Sequence, residues 1–245
     1  MSFPYTLMPE GPAPLGLIVL QVDETIESDF RRLLPADRPL YVSRIPSGAE
    51  LTPETIAQMA HDLPRAAALL PQVPVYAAVG YACTSGTTLI GAERVAALVA
   101  GACRTDAVCN PLNAAQAACA ALGITRLAVV SPYTASIAEP LCAALGTAGV
   151  EVVRALHFGE EIEANVARIS PESVCEAARA AVDGSGAQAV FLSCTNLKTL
   201  DLMGPLEADL GVPVFGSNLA LAWDMARRAG FALQATEPLA LLARG

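Results

Sequence analysis

The sequence predicts an α/β protein made of two pseudo-symmetric α/β/α lobes, each with a parallel sheet of about four strands. Apolar runs of strand length alternate with helical segments along the 245 residues. The same order of elements occurs twice, and equivalent strands lie 111 residues apart, as Leu17 and Ala128 do. Strands joined by helices of this length form parallel sheets with right-handed crossovers.

The first half contains three predicted strands and three predicted helices. The strands are 15–20, 40–45 and 75–82, and the helices are 25–34, 53–70 and 88–101. In the first helix, acidic residues come early and Arg31 and Arg32 come late, which suits the helix dipole. Thr52 and Pro53 predict the start of the second helix, because threonine caps well and proline fits the first helical turn.

The second half repeats this order. Its strands are 127–131, 150–155 and 187–192, and its helices are 137–146 and a segment that starts at Ser170-Pro171. That dipeptide is the same cap-then-proline signal as Thr52-Pro53. Each half then ends with a short apolar run, an asparagine and an Ala-rich helix. These are Asn110 with helix 114–122, and Asn218 with helix 219–229.

Composition excludes several classes of protein. The chain is 53% hydrophobic and 16% charged, so it can bury a large core and is not disordered. A net charge of −9 without a basic cluster argues against nucleic acid and anionic membranes as partners. The first residues lack the basic region of a signal peptide, and the apolar stretch 66–82 is interrupted by prolines and is too short to span a bilayer. A cytoplasmic protein is expected.

Most of the seven cysteines are expected to be structural. Their odd number and the lack of CxxC pairs do not suit a disulfide scaffold. Four lie in Ala-rich helical segments and are interpreted as small core residues: Cys103, Cys119, Cys142 and Cys175. The chain has two histidines and no clustered Cys/His spacing, so no metal site is expected.

Cys83 and Cys194 stand apart because they lie 111 residues apart in similar surroundings. Each follows an apolar strand and precedes a threonine, a polar residue and residues that can open a helix. Ligands of parallel sheets bind at the carboxyl ends of the strands, and a helix N-terminus lowers the pKa of a thiol. A single cysteine at a strand end is usually structural. The duplication favours instead one pocket with a reactive thiol on either side.

Other polar residues at the strand ends are candidates for substrate binding. Four hydrogen-bonding residues follow the two cysteines: Thr84, Ser85, Thr195 and Asn196. Asp23 is either a site residue or the cap of the helix at Thr25, and Asn218 is either a site residue or a helix cap. Tyr133, at the end of the strand 127–131, is either a site residue or a half-buried loop aromatic.

Three segments resemble the maleate cis–trans isomerase and arylmalonate decarboxylase branch of the Asp/Glu/hydantoin racemase superfamily. They are Tyr81–Gly86, Ser131–Tyr133 and Gly216–Trp223, and residues 17–27 are similar to the ectoine-utilization members of that branch. The resemblance implies two Rossmann-like lobes with the active site between them, and no metal or organic cofactor. It implies that the last strand of each half crosses to the other lobe, which gives lobe one as 1–102 plus 209–245 and lobe two as 103–208.

The resemblance also implies how the cysteines act. In the isomerases, the cysteine matching Cys83 attacks the alkene as a thiolate, and the one matching Cys194 donates and accepts the proton. In the racemases, two thiols exchange a proton on opposite faces of one carbon. The decarboxylases keep only the cysteine matching Cys194, so Cys83 argues against decarboxylation. Tyr133 matches a tyrosine that contacts a substrate carboxylate.

The chain departs from the maleate isomerases at two places. Asp23 stands where they carry asparagine, and a maleate-binding asparagine is replaced near Glu163, unless Asn165 fills its role. Asp23 would repel a substrate carboxylate. The substrate is therefore expected to carry an amino or amidine nitrogen, or else Asp23 points away from it.

These observations predict a cofactor-independent isomerase or racemase that uses Cys83 and Cys194 on a small carboxylic acid. Two alternatives remain open. One is an arylmalonate-type decarboxylase in which Cys194 delivers the proton, and the other is a non-catalytic small-molecule-binding protein of ectoine utilization. Self-association into a homo-oligomer is compatible with each.

Overall fold

Two parallel four-stranded sheets form the centre of the protein. The computed structural model describes residues 2–9, 11–48, 52–72, 75–234 and 237–244. The strands of the first sheet lie in the order β2-β1-β3-β4 and those of the second in the order β6-β5-β7-β8, with every pair parallel. Their bounds are β1 Leu15–Leu20, β2 Leu40–Ile45, β3 Ala78–Ala82, β4 Val108–Cys109, β5 Arg126–Ser131, β6 Glu151–His157, β7 Ala189–Leu192 and β8 Val214–Gly216. The predicted pair of pseudo-symmetric α/β lobes is confirmed.

Ten α-helices of the described chain connect and cover these strands. They are α1 Ile26–Leu33, α2 Pro53–Ala68, α3 Thr84–Ile90, α4 Ala92–Ala100, α5 Pro111–Leu122, α6 Ala135–Gly146, α7 Glu163–Val166, α8 Pro171–Val182, α9 Met203–Leu210 and α10 Ser217–Ala229. The two cap-then-proline signals are confirmed. Thr52 accepts a hydrogen bond from the Thr55 N–H, and Ser170 accepts one from the Ser173 N–H.

The burial of each strand follows its place in its sheet. All residues of the inner strands β1, β3 and β7 are buried, because helices cover both faces of a parallel sheet. The edge strands β2 and β6 have exposed residues at several positions. The apolar runs in the sequence therefore identified the inner strands to within a few residues. No helix in the described ranges is long and apolar enough to cross a membrane.

The prediction that the last strand of each half crosses to the other lobe is wrong. β4 pairs with β3, and β8 pairs with β7, so each strand stays in the sheet of its own half. The helix after β8 makes the connection instead, since α10 packs against β3, α1 and α5 of the first half. The lobe limits 1–102 plus 209–245 and 103–208 rest on that crossing, so they do not hold for β4 and β8. For the rest of the chain they stay a prediction.

Two predicted helices also differ from the structure. The segment 88–101 contains α3, which begins earlier at Thr84, and α4, and the two are separated at Gly91. Gly91 has a φ of 94°, which a residue with a side chain rarely adopts. After Cys194 the chain forms bends rather than a helix, and the next helix of the described chain begins at Met203.

Asn110 is a helix cap, one of the two roles left open for it. Its Oδ1 accepts a hydrogen bond of 2.8 Å from the Asn113 N–H at the start of α5. Asn110→Ala is expected to lower the free energy of unfolding by about 1 kcal/mol, because the N–H loses its acceptor. Urea denaturation measures this change. Asn110→Ser, which keeps an acceptor, should recover most of it, and equal losses in both variants would contradict the capping role.

Candidate active site

The two cysteines lie at the carboxyl ends of inner strands of the two sheets. Cys83 directly follows β3, and Cys194 comes two residues after β7. Both are buried, with exposed fractions of 2% and 5%. The side chains of Tyr133 and Glu163 interact electrostatically with both thiols. The structure therefore brings the duplicated positions into one buried region between the sheets.

The loop after β3 directs hydrogen-bond donors at the sulfur of Cys83. The Gly86 N–H donates to Cys83 Sγ over 3.1 Å, and Ser85 Oγ lies 3.5 Å from the same sulfur. A Cβ atom on Gly86 would lie 2.8 Å from Cys83 Sγ and 2.7 Å from the Tyr81 hydroxyl. Glycine is required here because nothing larger lets the backbone approach the thiol this closely.

The backbone of Cys194 is strained. Its φ is 147°, and it is the one described residue other than glycine with a positive φ. Its N–H donates to Ser217 Oγ over 3.0 Å, which helps to hold this conformation. Tyr133 supplies a hydrogen bond to its thiolate form. Strain of this kind concentrates at functional sites, where surrounding contacts maintain it.

Ser217 joins the two cysteine loops, and the sequence interpretation missed it. Its hydroxyl accepts the Cys194 N–H and also lies 3.0 Å from Thr84 Oγ1, next to Cys83. It sits at the start of α10, directly after β8. The available signal was its position at a strand end beside Asn218, which was itself identified as a candidate.

Asn196 connects the second cysteine loop to the first half. Its Nδ2 donates to the carbonyl oxygen of Glu163 over 3.0 Å and to Glu163 Oε2 over 3.2 Å. Its Oδ1 accepts the Glu24 N–H over 2.8 Å, and its carbonyl oxygen accepts the Thr25 hydroxyl over 2.9 Å. All its polar groups are thus used within the protein, which makes it a positioning residue for Glu163.

Asp23 fills one of the two roles left open by the sequence, that of a helix cap, and its role as a site residue stays a prediction. Its Oδ1 accepts the N–H groups of Thr25 and Ile26 over 2.8 and 2.9 Å, which caps the start of α1. Its Oδ2 is buried and accepts no hydrogen bond from the residues that the structure describes, although the nearby Thr195 hydroxyl favours the charged form of the carboxyl group. Arg44 holds the loop by donating to the carbonyl oxygens of Leu20, Gln21 and Asp23.

Asn218 does not cap a helix, so of the two roles left open for it the site residue stays a prediction. The cap position of α10 is Gly216, and the Asn218 side chain points elsewhere. Its Nδ2 donates to Asp29 Oδ2 over 2.8 Å and to the Thr195 carbonyl oxygen over 2.9 Å. Its Oδ1 is buried without a partner.

Asn165 is exposed and donates to Glu160, so it does not fill the role considered for it. Glu163, two residues earlier, faces the thiols instead.

All ten candidate site residues are buried: Asp23, Cys83, Thr84, Ser85, Tyr133, Glu163, Cys194, Thr195, Asn196 and Asn218. Their roles toward a substrate remain a prediction.

Burial sets the ionisation of the site, which corrects the expectation of lowered thiol pKa values. Desolvation raises the pKa of Cys83 to about 11 and that of Cys194 well above its ordinary value. Desolvation also raises the pKa of Glu163 to about 7 and raises that of Asp23. The donors at the sulfurs oppose this effect but do not outweigh it. Alkylation of the resting thiols is therefore expected to be slow.

Basic side chains offset these acids only in part, since Arg44 lowers the pKa of Asp23 less than burial raises it. The buried polar residues in the described part of the chain include Asp23, Asp29 and Glu163 but no lysine or arginine. Within the same part of the chain, no three His, Cys, Asp or Glu residues are grouped so that they could hold a metal ion. The arrangement offers two thiols for proton transfer or nucleophilic attack, with carboxyl groups beside them.

Comparison with known proteins agrees with this arrangement. The profile of the arylmalonate decarboxylase family matches residues 48–241. The arylmalonate decarboxylase of Bordetella bronchiseptica is 30% identical over 228 residues, which are 88% of this chain and 90% of that protein.

Solved structures share the fold. A variant of the maleate isomerase Iso from Pseudomonas putida S16 with maleate has a TM-score of 0.84 at 23% identity, covering 95% of this chain and 98% of that one. A mutant maleate cis–trans isomerase of Nocardia farcinica with a covalently bound succinylcysteine intermediate has a TM-score of 0.82 at 23% identity, covering 96% and 100%. A liganded mutant of arylmalonate decarboxylase has a TM-score of 0.80 at 24% identity, covering 91% and 96%.

The raised pKa of Glu163 makes a testable contribution to stability. Between its ordinary pKa of 4.5 and its folded value of about 7, the unfolded chain loses this proton first, so the native state loses stability as pH rises. Glu163→Gln removes this effect and keeps an acceptor for Asn196. The free energy of unfolding of the variant minus that of the wild type should grow by on the order of 3 kcal/mol from pH 4 to pH 8.5. Urea denaturation across this range measures it, and a constant difference would contradict the burial of an ionisable Glu163.

Proposed function

The chain belongs to the arylmalonate decarboxylase family, and from this premise we propose that it is a cofactor-independent isomerase or racemase of a small carboxylic acid. Cys83 and Cys194 carry the reaction. The observation that supports this most strongly is the pair of buried thiols at the ends of β3 and β7, which share Tyr133 and Glu163 as neighbours. A reaction that used Cys194 alone would not need a buried Cys83 with Gly86 N–H and Ser85 at its sulfur.

In the isomerase form of the reaction, the Cys83 thiolate forms a C–S bond to one alkene carbon. The alkene electron pair takes the proton of the Cys194 thiol, so the carbon–carbon bond becomes single and rotates. The Cys194 thiolate then removes a proton from the carbon that it protonated, which is the neighbour of the sulfur-bearing carbon. The double bond forms again between the two carbons as the C–S bond breaks and Cys83 leaves as a thiolate. The succinylcysteine adduct in the Nocardia farcinica relative supports such a covalent step.

In the racemase form of the reaction, no carbon–sulfur bond is made. One thiolate removes the α-proton, the carbanion is held as an enolate, and the opposite thiol delivers its proton to the other face. Thiolate formation is the demanding step in either form, because burial raises the pKa of both cysteines. Gly86 N–H and Ser85 lower the pKa of Cys83 against this trend, which suits Cys83 to be the first thiolate.

Arylmalonate decarboxylation is the second candidate, favoured by the matching family profile and the 30% identical relative. In that reaction the substrate loses CO2 and Cys194 protonates the resulting carbanion. Cys83 would then have no chemical role, although its loop holds two donors at its sulfur. We therefore place isomerisation or racemisation first.

The cellular location and the small-molecule partner are also proposals. We infer a cytoplasmic enzyme whose partner is a small-molecule carboxylic acid, and the similarity of residues 17–27 to ectoine-utilization proteins makes diamino acids worth testing. A non-catalytic binding protein on the same frame would bind such acids without turning any of them over.

Incubation with candidate acids in D2O tests the activity and separates the reactions. The panel is maleate, phenylmalonate, aspartate, glutamate and 2,4-diaminobutyrate. Conversion of a cis alkene indicates isomerisation, loss of optical rotation with deuterium at the stereocentre indicates racemisation, and release of CO2 indicates decarboxylation.

Replacement of either cysteine by serine distinguishes one thiol from two. Cys83→Ser and Cys194→Ser should each lower kcat at least about a thousandfold, because each removes a group that attacks or transfers a proton. Cys142→Ser, on α6 away from the site, is the matched control and should keep wild-type activity. Full activity of Cys83→Ser would instead support decarboxylation through Cys194 alone.

A further inference from the structure

One carboxylate oxygen of the site lacks a donor. Asp23 is 4% exposed, and its Oδ1 is satisfied by the N–H groups of Thr25 and Ile26, but its Oδ2 has no hydrogen-bond partner among the described residues. The Thr195 hydroxyl lies nearby and donates to the Ala82 carbonyl oxygen over 3.4 Å. A buried acceptor without a donor destabilises the fold, and more so when it is charged. Such an atom in a native protein calls for an explanation, and a ligand that supplies the missing donor is one.

A second acceptor close by is also open. Asn218 is 2% exposed, and its Oδ1 has no partner in the described part of the chain, while its Nδ2 already donates to Asp29 and to the Thr195 carbonyl oxygen. The Thr195 side chain neighbours Asp23, so both open acceptors flank the residue that directly follows Cys194. This part of the site therefore has more acceptors than donors.

The acidic side chains near the thiols also favour a ligand that carries a positive charge. Glu163 is 3% exposed, and its carboxyl group interacts with that of Asp23 and with both thiols. Arg44, the basic residue that acts on Asp23, uses its guanidinium group on main-chain carbonyl oxygens and on Glu27. Arg32 pairs with Asp201 at the surface. Among the described residues, neither Asp23 nor Glu163 forms an ion pair, and Arg44 offsets the charge of Asp23 only in part.

We propose, building on the function proposed above, that the substrate is a small carboxylic acid with a protonated nitrogen, which binds to Asp23 Oδ2, Asn218 Oδ1 and the Glu163 carboxylate. A protonated amine carries up to three N–H donors and a positive charge, which match three acceptors and an excess of negative charge. A dicarboxylate without nitrogen would leave these acceptors unpaired and be repelled by them. Asp23 thereby selects against maleate as well as for an amine.

The same contact activates the thiols. The Glu163 carboxylate raises the pKa of both cysteines, and Asp23 raises that of Cys194. A cation bound between the two acids cancels this repulsion, so a thiolate forms more readily with the substrate in place than in the resting site. The other groups that face the thiols are the hydroxyls of Tyr81, Ser85 and Tyr133 and the N–H groups of Gly86 and Asn196, and each favours the thiolate. The Tyr81 hydroxyl also donates to Met59 Sδ over 3.9 Å.

Isothermal titration calorimetry with matched acids tests the proposal without requiring turnover. The pairs are aspartate against succinate, and 2,4-diaminobutyrate against 2-aminobutyrate, each differing by one amino group. In the wild type, the member with the extra nitrogen should bind at least about tenfold more tightly in one pair or both. Binding of that member should also raise the ultraviolet absorbance of thiolate.

Asp23→Asn is the decisive variant, because its Oδ1 can still cap α1 while an amide replaces the open oxygen. It should reduce the preference for the amino-bearing acid at least about tenfold and improve the binding of succinate and maleate. Asp201→Asn, which removes an exposed acid from the surface pair with Arg32, is the control and should leave the preference unchanged. Thermal unfolding confirms that both variants fold.

Three results would overturn the proposal: equal affinities within both pairs in the wild type, no binding by any of these acids, or an unchanged preference in Asp23→Asn. None of them bears on the two-thiol reaction, which fails separately if Cys83→Ser keeps full activity. The charge preference and the catalytic role of the cysteines are therefore tested independently.

Discussion

The hydroxyl of Ser217 holds the two cysteine loops together, and the geometry of the site depends on it. Cys83 follows a strand of one sheet and Cys194 a strand of the other, so no shared ladder fixes their separation. Ser217 accepts the Cys194 N–H and contacts Thr84 Oγ1, and it begins the helix that packs against β3 of the first sheet. The positive φ of Cys194 can persist because this contact constrains it.

Around Ser217 the protein buries ionisable groups, which lowers its stability. Glu163, Asp23 and both thiols are desolvated. The pKa of each is raised, which favours the neutral form of the group. Buried acids without basic partners destabilise a fold, so their presence here favours a functional explanation. Thiols with raised pKa values in a closed site also avoid reacting before a substrate arrives.

The sequence predicted the sheets well and the polar contacts poorly. Continuous apolar runs identified β1, β3 and β7, because buried parallel strands need them, and the 111-residue repeat located both cysteines. The partners of β4 and β8 were mispredicted, since two- and three-residue strands have no pattern of their own. Ser217 was missed because its two contacts join residues 23 and 133 positions away. Thiol pKa values depend on burial, which local spacing does not reveal.

The site is proposed to be one space, with a thiol from each half and acceptors for a cation beside them. A crystal structure with the amino acid that binds most tightly tests this most directly. The reacting carbon should lie between Cys83 Sγ and Cys194 Sγ, and the ligand nitrogen should lie within hydrogen-bond distance of Asp23 Oδ2. A ligand bound outside the two thiols, or one whose nitrogen faces away from Asp23, would contradict the account.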